Sequence, residues 1–156
     1  MSIKLQNGDL APDFKLEAND GKTYSLESFK DNILVLYFYP KDNTSGCTTE
    51  AIEFTALKSE FEKLNTIVAG ISPDSIKSHC NFADKHNLSI LLLSDQEKSV
   101  AESYGAYGEK KMYGKTTKGI IRSTFIIKNG KILKSYYNVK AKGHAEKILN
   151  DLKELL

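Results

Sequence analysis

The pattern of apolar and polar positions along the 156 residues changes period several times. Residues Ile33 to Tyr39, "ILVLYFY", are continuously apolar with β-branched and aromatic members, as in a central strand buried on both faces. Pro40 stops the run, because proline cannot donate to a ladder. From Cys47 to about Leu64 the apolar positions Cys47, Ala51, Phe54, Leu57 (or Lys58), Phe61 and Leu64 recur at spacings of three and four, which predicts a helix. "TIVAGIS" reads as a second buried strand. "SPDS" then predicts Ser72 as an N-cap with Pro73 at the first position of a helix running to about His86, with Ile76, Cys80 and Ala83 on one face. "SILLLSD" is a third strand and Lys98 to Tyr104 a short helix. "GAYGEKKMYGKTTKG" reads as a long irregular loop. "RSTFIIKNGKILKSYYN" is a hairpin turned at Asn129-Gly130. Gly143 to Leu156 is a closing amphipathic helix with Ile148, Leu149, Leu152 and Leu156 facing in. Near the start, "FKLEANDGKTYSL" gives two short strands around the Asn19-Asp20-Gly21 turn.

Strands alternating with helices imply an α/β fold, a central sheet with helices on both faces. The final hairpin adds antiparallel strands, so the sheet is mixed. This order fits a thioredoxin-like core carrying an N-terminal β-hairpin extension, with residues 1–156 as a single domain. Open α/β sheets place their sites at the carboxyl ends of strands. Cys47 lies in the loop-to-helix junction after such a strand.

Composition narrows the function classes. With 40% hydrophobic and 27% charged residues, the chain can build a core. A net charge of +2, with lysines interspersed among acids, argues against nucleic acid as a partner. The first residues contain no run of signal-peptide length, and no segment approaches a membrane span. The expected compartment is therefore the reducing cytoplasm. There, two cysteines are packing, catalytic or redox groups rather than a disulfide framework. Cys47, Cys80 and the three histidines (His79, His86, His144) show no CxxC or HxxxH spacing, so neither a metal nor a cofactor is expected.

An ordinary thiol, with a pKa near 8.5, is only a few per cent thiolate at neutral pH. Lowering such a pKa to about 6 takes roughly 3.4 kcal/mol. A helix N-terminus contributes about 0.3–1 kcal/mol, and up to about 2. A reactive Cys47 therefore calls for a cation, and Arg122, the only arginine, begins a predicted strand. Full ionisation gains only about thirtyfold in rate, so donors aimed at the reacting atoms are needed as well. Thr44, the Cys47 backbone N–H and an arginine would be a fitting set. The competing reading makes Cys47 a small buried hydrophobe above Ala51, Phe54 and Phe61. Position alone leaves the two even.

"YPKDNTSGCTTEA", residues 39–51, closely resembles the peroxiredoxin active-site motif of Pro, three residues, Thr or Ser, two residues, Cys. Pro40, Thr44 and Cys47 occupy those places. "LLLSDQEKSVAESYGAYGEKKMYGKTTKGIIRSTFII" and "VKAKGHAEKIL" resemble the bacterioferritin comigratory protein, or PrxQ, branch, and the likeness covers nearly the whole chain. The resemblance implies a thioredoxin fold and a thiol peroxidase acting on hydrogen peroxide and organic hydroperoxides, mostly monomeric, with thioredoxin or another thiol as reductant. It implies that Cys47 is the peroxidatic cysteine, oxidised to sulfenic acid, and that Arg122 of "RSTF" supports the thiolate and polarises peroxide. Thr44 would hydrogen-bond thiolate and peroxide, and Pro40 would shield the site from water. Glu50 either orients Arg122 or is a surface acid at the favourable end of the helix dipole.

The chain departs from the branch pattern at Ser45, where proline is common, and at Ile52, where many members carry a resolving cysteine. Some members place that cysteine on the next helix, which makes Cys80 the candidate, against a core role on the Ile76/Ala83 face. A Cys47–Cys80 disulfide would require local unwinding. The alternatives are one-cysteine turnover with an external thiol and a redox sensor that does not turn over. A dithiol oxidoreductase is disfavoured by the missing CxxC, and a cysteine hydrolase by the lack of a placed histidine base. His79 reads as an exposed helix histidine, and His86 and His144 as helix-end residues. The basic "GEKKMYGKTTKG" stretch reads as a solvated loop rather than an anion site.

Overall fold

The computed structural model describes residues 4–112 and 114–156. The apolar run Ile33–Phe38 becomes the central strand of a five-stranded mixed sheet. The chain opens with a hairpin of β1 (Lys15–Glu17) and β2 (Thr23–Ser25), a 3-10 turn at Leu26–Phe29, and the fully buried β3 (Ile33–Phe38). Then follow α1 (Ser45–Ala56), α2 (Lys58–Lys63), β4 (Thr66–Ser72), α3 (Ile76–His86), β5 (Leu91–Ser94) and α4 (Ser99–Ser103). β6 (Tyr107–Met112), β7 (Lys115–Ile120), β8 (Ser123–Lys128), β9 (Lys131–Tyr136) and α5 (His144–Leu155) complete it.

The central sheet runs β5-β4-β3-β8-β9, with β3, β4 and β5 parallel and β8 and β9 antiparallel. Alternation along β3 sorts its side chains to two cores. Leu34, Leu36 and Phe38 join Phe125, Ile71, Val100 and Tyr104 on one face. Ile33, Val35, Tyr37 and Tyr39 join Cys47, Phe54, Phe61, Phe82 and Ile148 beneath the helices on the other. Gly70 of β4 is where a Cβ would fall 2.7 Å from the Tyr37 ring, so the small residue admits the aromatic. Bridges from Ala18 to Leu93 and from Leu10 to Lys131 lay the N-terminal segment along both outer strands of the sheet.

Five expectations change. The predicted Cys47–Leu64 helix starts earlier, at Ser45, and breaks at Leu57 into α1 and α2. Ser72 ends β4 instead of capping a helix, and the N-cap is Ser75, whose Oγ accepts from the Ser78 N–H. The core face of α3 is His79, Phe82 and Ala83, leaving Cys80 half-buried, and Leu156 is exposed. The stretch read as an irregular loop is the antiparallel β6–β7 ribbon; Tyr113, between them in the chain, lies outside the described residues. The base of the ribbon reaches the core at Tyr107 and Ile120, while Glu109 and residues 116–118 are exposed, so no continuous apolar alternation is written into the sequence. The Asn129-Gly130 turn is as expected, with φ of 52° and 76° at the two residues, the left-handed pair a two-residue hairpin needs. Among the described residues no helix is long and apolar enough to cross a membrane.

Candidate active site

β3 delivers the chain to the carboxyl edge of the sheet, and Pro40, half-buried, ends it. The connecting loop turns through Asn43, whose φ of 63° an asparagine tolerates. Thr44 is the N-cap residue of α1, which makes Cys47 the third residue of the helix. Backbone N–H groups in a first turn have no intrahelical acceptor, so they face whatever charge sits there.

The antiparallel β3–β8 register pairs Phe38 with Ser123, which brings the preceding residue, Arg122, to the same edge. That is how a residue 75 positions away reaches Cys47: Arg122 Nη2 donates to Cys47 Sγ at 3.3 Å. Arg122 Nη1 donates to Glu50 Oε1 at 2.6 Å. Glu50 lies three residues after Cys47, hence on the same helix face. It is fully buried, so the surface-acid reading is set aside by its position and it holds the guanidinium. Burial pushes the Glu50 carboxyl up to about 7, with the Arg122 charge pulling the other way. Burial alone would lower the Arg122 guanidinium. The charges of Glu50 and Cys47 outweigh it and hold it above its ordinary value.

Cys47 is 1% exposed and packs with Tyr37, Ala51 and Phe54. Features of both readings of Cys47 are present: the sulfur is buried in an apolar cluster and also bound to a guanidinium. The Thr44 hydroxyl spends its hydrogen on the Lys41 carbonyl oxygen at 2.8 Å, so it must rotate to donate to sulfur or peroxide. Cys80 stands apart, its Sγ donating to the Asn19 carbonyl oxygen at 3.4 Å beside β5, and both cysteines are free thiols. Cys47 lies in the first turn of α1 and Cys80 in the second turn of α3, each held in its own helix.

Two contributors escaped the sequence reading. A Cβ on Gly46 would lie 3.2 Å from Arg122 Nη2, so this position must be small for the guanidinium to reach the sulfur. Gly46→Ala should slow peroxide reduction about tenfold while leaving the thermal midpoint within a few degrees, measured by steady-state peroxide consumption and circular dichroism. The second is Asp42, buried beside a fully buried His79, which overturns the exposed reading of that histidine. Apolar spacing cannot report a buried polar pair. Of the other two histidines, His86 ends α3 as expected. His144 opens α5 but is buried, its Nε2 against Thr124 Oγ1 at 2.8 Å, and burial lowers it to about 4. Among the described residues, Asp42, Asp74 and His79 bring ligand-type atoms within 4.8 Å of one another. Each of those atoms is already engaged in a hydrogen bond of the loop, which accounts for the group without an ion.

Comparison with known proteins matches residues 7–135 to the AhpC/TSA family. The chain is 55% identical over 150 residues to a Helicobacter pylori protein named as a peroxiredoxin Bcp, covering 96% of this chain and 99% of the relative. It is 43% identical over 154 residues to peroxiredoxin Bcp of Bacillus subtilis, covering 98% of each. Its structure is similar to that of the Xanthomonas campestris bacterioferritin comigratory protein, studied for alkyl peroxide reduction through trapped intermediate and ligand complexes. That match has a TM-score of 0.87 and 36% identity, over 99% of this chain and 98% of the other.

Proposed function

This chain belongs to the AhpC/TSA family and is a peroxiredoxin, a thiol peroxidase, and on that premise we propose that Cys47 is the sulfur that peroxide oxidises and that Cys80 resolves it. The observation that carries the proposal is the pair of bonds from one guanidinium to Cys47 Sγ and Glu50 Oε1. Arg122 faces the attacking sulfur, is held rigidly by a buried carboxylate, and is aimed where negative charge moves during the reaction. The Cys47 thiolate attacks one peroxide oxygen. An S–O bond forms, the O–O bond breaks, and two electrons pass from sulfur to the departing oxygen. That oxygen takes a proton and leaves as water or alcohol. Thr44, its hydroxyl rotated from Lys41, would hold the second peroxide oxygen, and Pro40 would keep bulk water from the sulfur.

In the second step the Cys80 sulfur attacks the Cys47 sulfenic sulfur. The S–S bond forms, the S–OH bond breaks, and hydroxide leaves with the Cys80 proton as water. Thioredoxin is the proposed reductant of the disulfide. Hydrogen peroxide and organic hydroperoxides are the proposed substrates, in line with the alkyl peroxide reduction studied in the Xanthomonas protein. The chain is proposed to act as a monomer in the cytoplasm, where a thiol enzyme finds a reducing pool.

Intact mass under non-reducing conditions, after one equivalent of hydrogen peroxide, tests the cycle. The expected result is a loss of about two mass units, absent from both Cys47→Ser and Cys80→Ser. A gain of about sixteen units that survives Cys80→Ser, with no loss of two in the parent, would replace the proposal with one-cysteine turnover by an external thiol.

A further inference from the structure

The buried cluster around Asp42 joins the two halves of that cycle. Asp42 belongs to the loop between Pro40 and Cys47. Its Oδ1 accepts from the Tyr39 hydroxyl at 2.7 Å, and its Oδ2 accepts from Ser78 Oγ at 2.8 Å and pairs with His79 Nδ1 at 2.8 Å. Ser78 and His79 lie on α3, immediately before Cys80. His79 Nε2 faces the Leu93 carbonyl oxygen of β5 at 2.9 Å. Both ring nitrogens thus lie against acceptors, and only a doubly protonated ring donates to both. The Asp42 N–H donates in turn to Asp74 Oδ2, which also accepts from Ser72 Oγ, both at 2.7 Å. Burial acts to raise the Asp42 carboxyl, but the bonds from His79, Tyr39 and Ser78 outweigh it and hold it below its ordinary value. The side chains are 0% and 1% exposed, so this is a desolvated, hydrogen-bonded pair, and removing either partner strands the other.

Resting on the proposal that Cys80 resolves Cys47, we infer that Asp42 and His79 are a positioning pair that latches the Cys47 loop to the Cys80 helix. Closed, it holds the loop and α1 in the form that meets peroxide. It must part before the first turns of α3 can unwind and carry Cys80 across the sheet. Peroxide reaction and disulfide closure therefore make opposite demands on one contact, which sets their relative rates.

The test uses the full chain, with quench-flow mixing against hydrogen peroxide, thiol blocking and intact mass. Asp42→Asn, His79→Gln and the double variant are compared with Phe82→Leu, a change on the same helix that trims a ring packed on Tyr39 but removes no hydrogen bond of the network. Each single variant should close the disulfide about tenfold faster and form the sulfenic acid several-fold more slowly. The double variant should match the singles instead of multiplying them, as coupled partners do. Phe82→Leu should alter closure less than twofold. Closure at the parental rate in both single variants, or equally fast closure in Phe82→Leu, overturns the latch while leaving Cys80 as the resolving cysteine. A parent that forms no disulfide overturns the resolving role and the latch with it. Should the variants not fold, nitrogen NMR of the parent decides. The latch requires the His79 ring nitrogens to hold their Asp42 and Leu93 partners in the reduced protein and to lose the Asp42 partner in the disulfide form. An unchanged His79 signal between the two overturns it.

Discussion

Replacing Cys47 by serine is expected to remove peroxide reduction, by on the order of 10⁴-fold or more, the scale on which enzymes lose activity without their covalent nucleophile. Neither the Arg122 charge nor the helix N-terminus brings a serine hydroxyl into its anionic form at neutral pH, and oxygen has no sulfenic state to pass through. The substitution is nonetheless gentle on the fold. The sulfur is 1% exposed and accepts from Arg122 Nη2, and a serine oxygen accepts the same bond from the same place. Loss of one polarizable atom from the Tyr37, Ala51 and Phe54 cluster should cost about 1 kcal/mol. The measurements are peroxide consumption with a thiol reductant and a urea unfolding midpoint on the same sample. Activity within tenfold of the parent, with Cys80 intact, would move the peroxidatic role elsewhere in the chain.

The sequence showed the sheet and missed the ribbon for one physical reason, burial. Ile33–Phe38 and Thr66–Ser72 are buried along most of their length, so each position had to be apolar and the run was readable. β6 and β7 pair only with each other, and an isolated ribbon leaves no such record. In the site, Pro40, Thr44 and Cys47 are close in the chain and stood out as a spacing. Arg122 was singled out as the only arginine and through its motif, and what brings it to the sulfur is the pairing of Phe38 with Ser123, which no local pattern contains. His79 was misread because a histidine at helical spacing is silent about what faces it. The partner is Asp42, 37 residues earlier, in the loop between Pro40 and Cys47. Polar residues paired inside a core are the class that periodicity cannot see, and here they lie where the chemistry is.

Arg122→Met is expected to have the second-largest effect, a fall of about 10²–10³ in the rate of Cys47 oxidation, as when one preorganised donor to a transition state is lost. Methionine keeps the stem's bulk and removes both bonds of the guanidinium. Lysine restores a charge but not the fork, and one ammonium cannot hold Glu50 Oε1 and Cys47 Sγ as the planar group does, so Arg122→Lys should recover no more than about tenfold. The stability effect depends on pH, and its sign follows from Glu50. That carboxyl titrates at about 7 in the folded protein against an ordinary 4.5. Its contribution is therefore fully present below about 4.5 and lost as pH rises through 7. Without Arg122 the carboxyl rises further, so at pH 8 the folded state must bury an unpaired charge or take up a proton. A penalty of about 3–5 kcal/mol is the scale for a broken buried pair. At pH 5 the carboxyl is neutral and most of that penalty disappears. Adding Glu50→Gln should restore stability at pH 8 and leave the rate as low as in the single variant, because the donor to sulfur is still missing. Unfolding midpoints at both pH values, read beside the oxidation rate, separate the two jobs of the arginine. A single variant equally stable at pH 5 and 8, or a double variant that regains the rate, would show that Glu50 and Arg122 do not work as this pair.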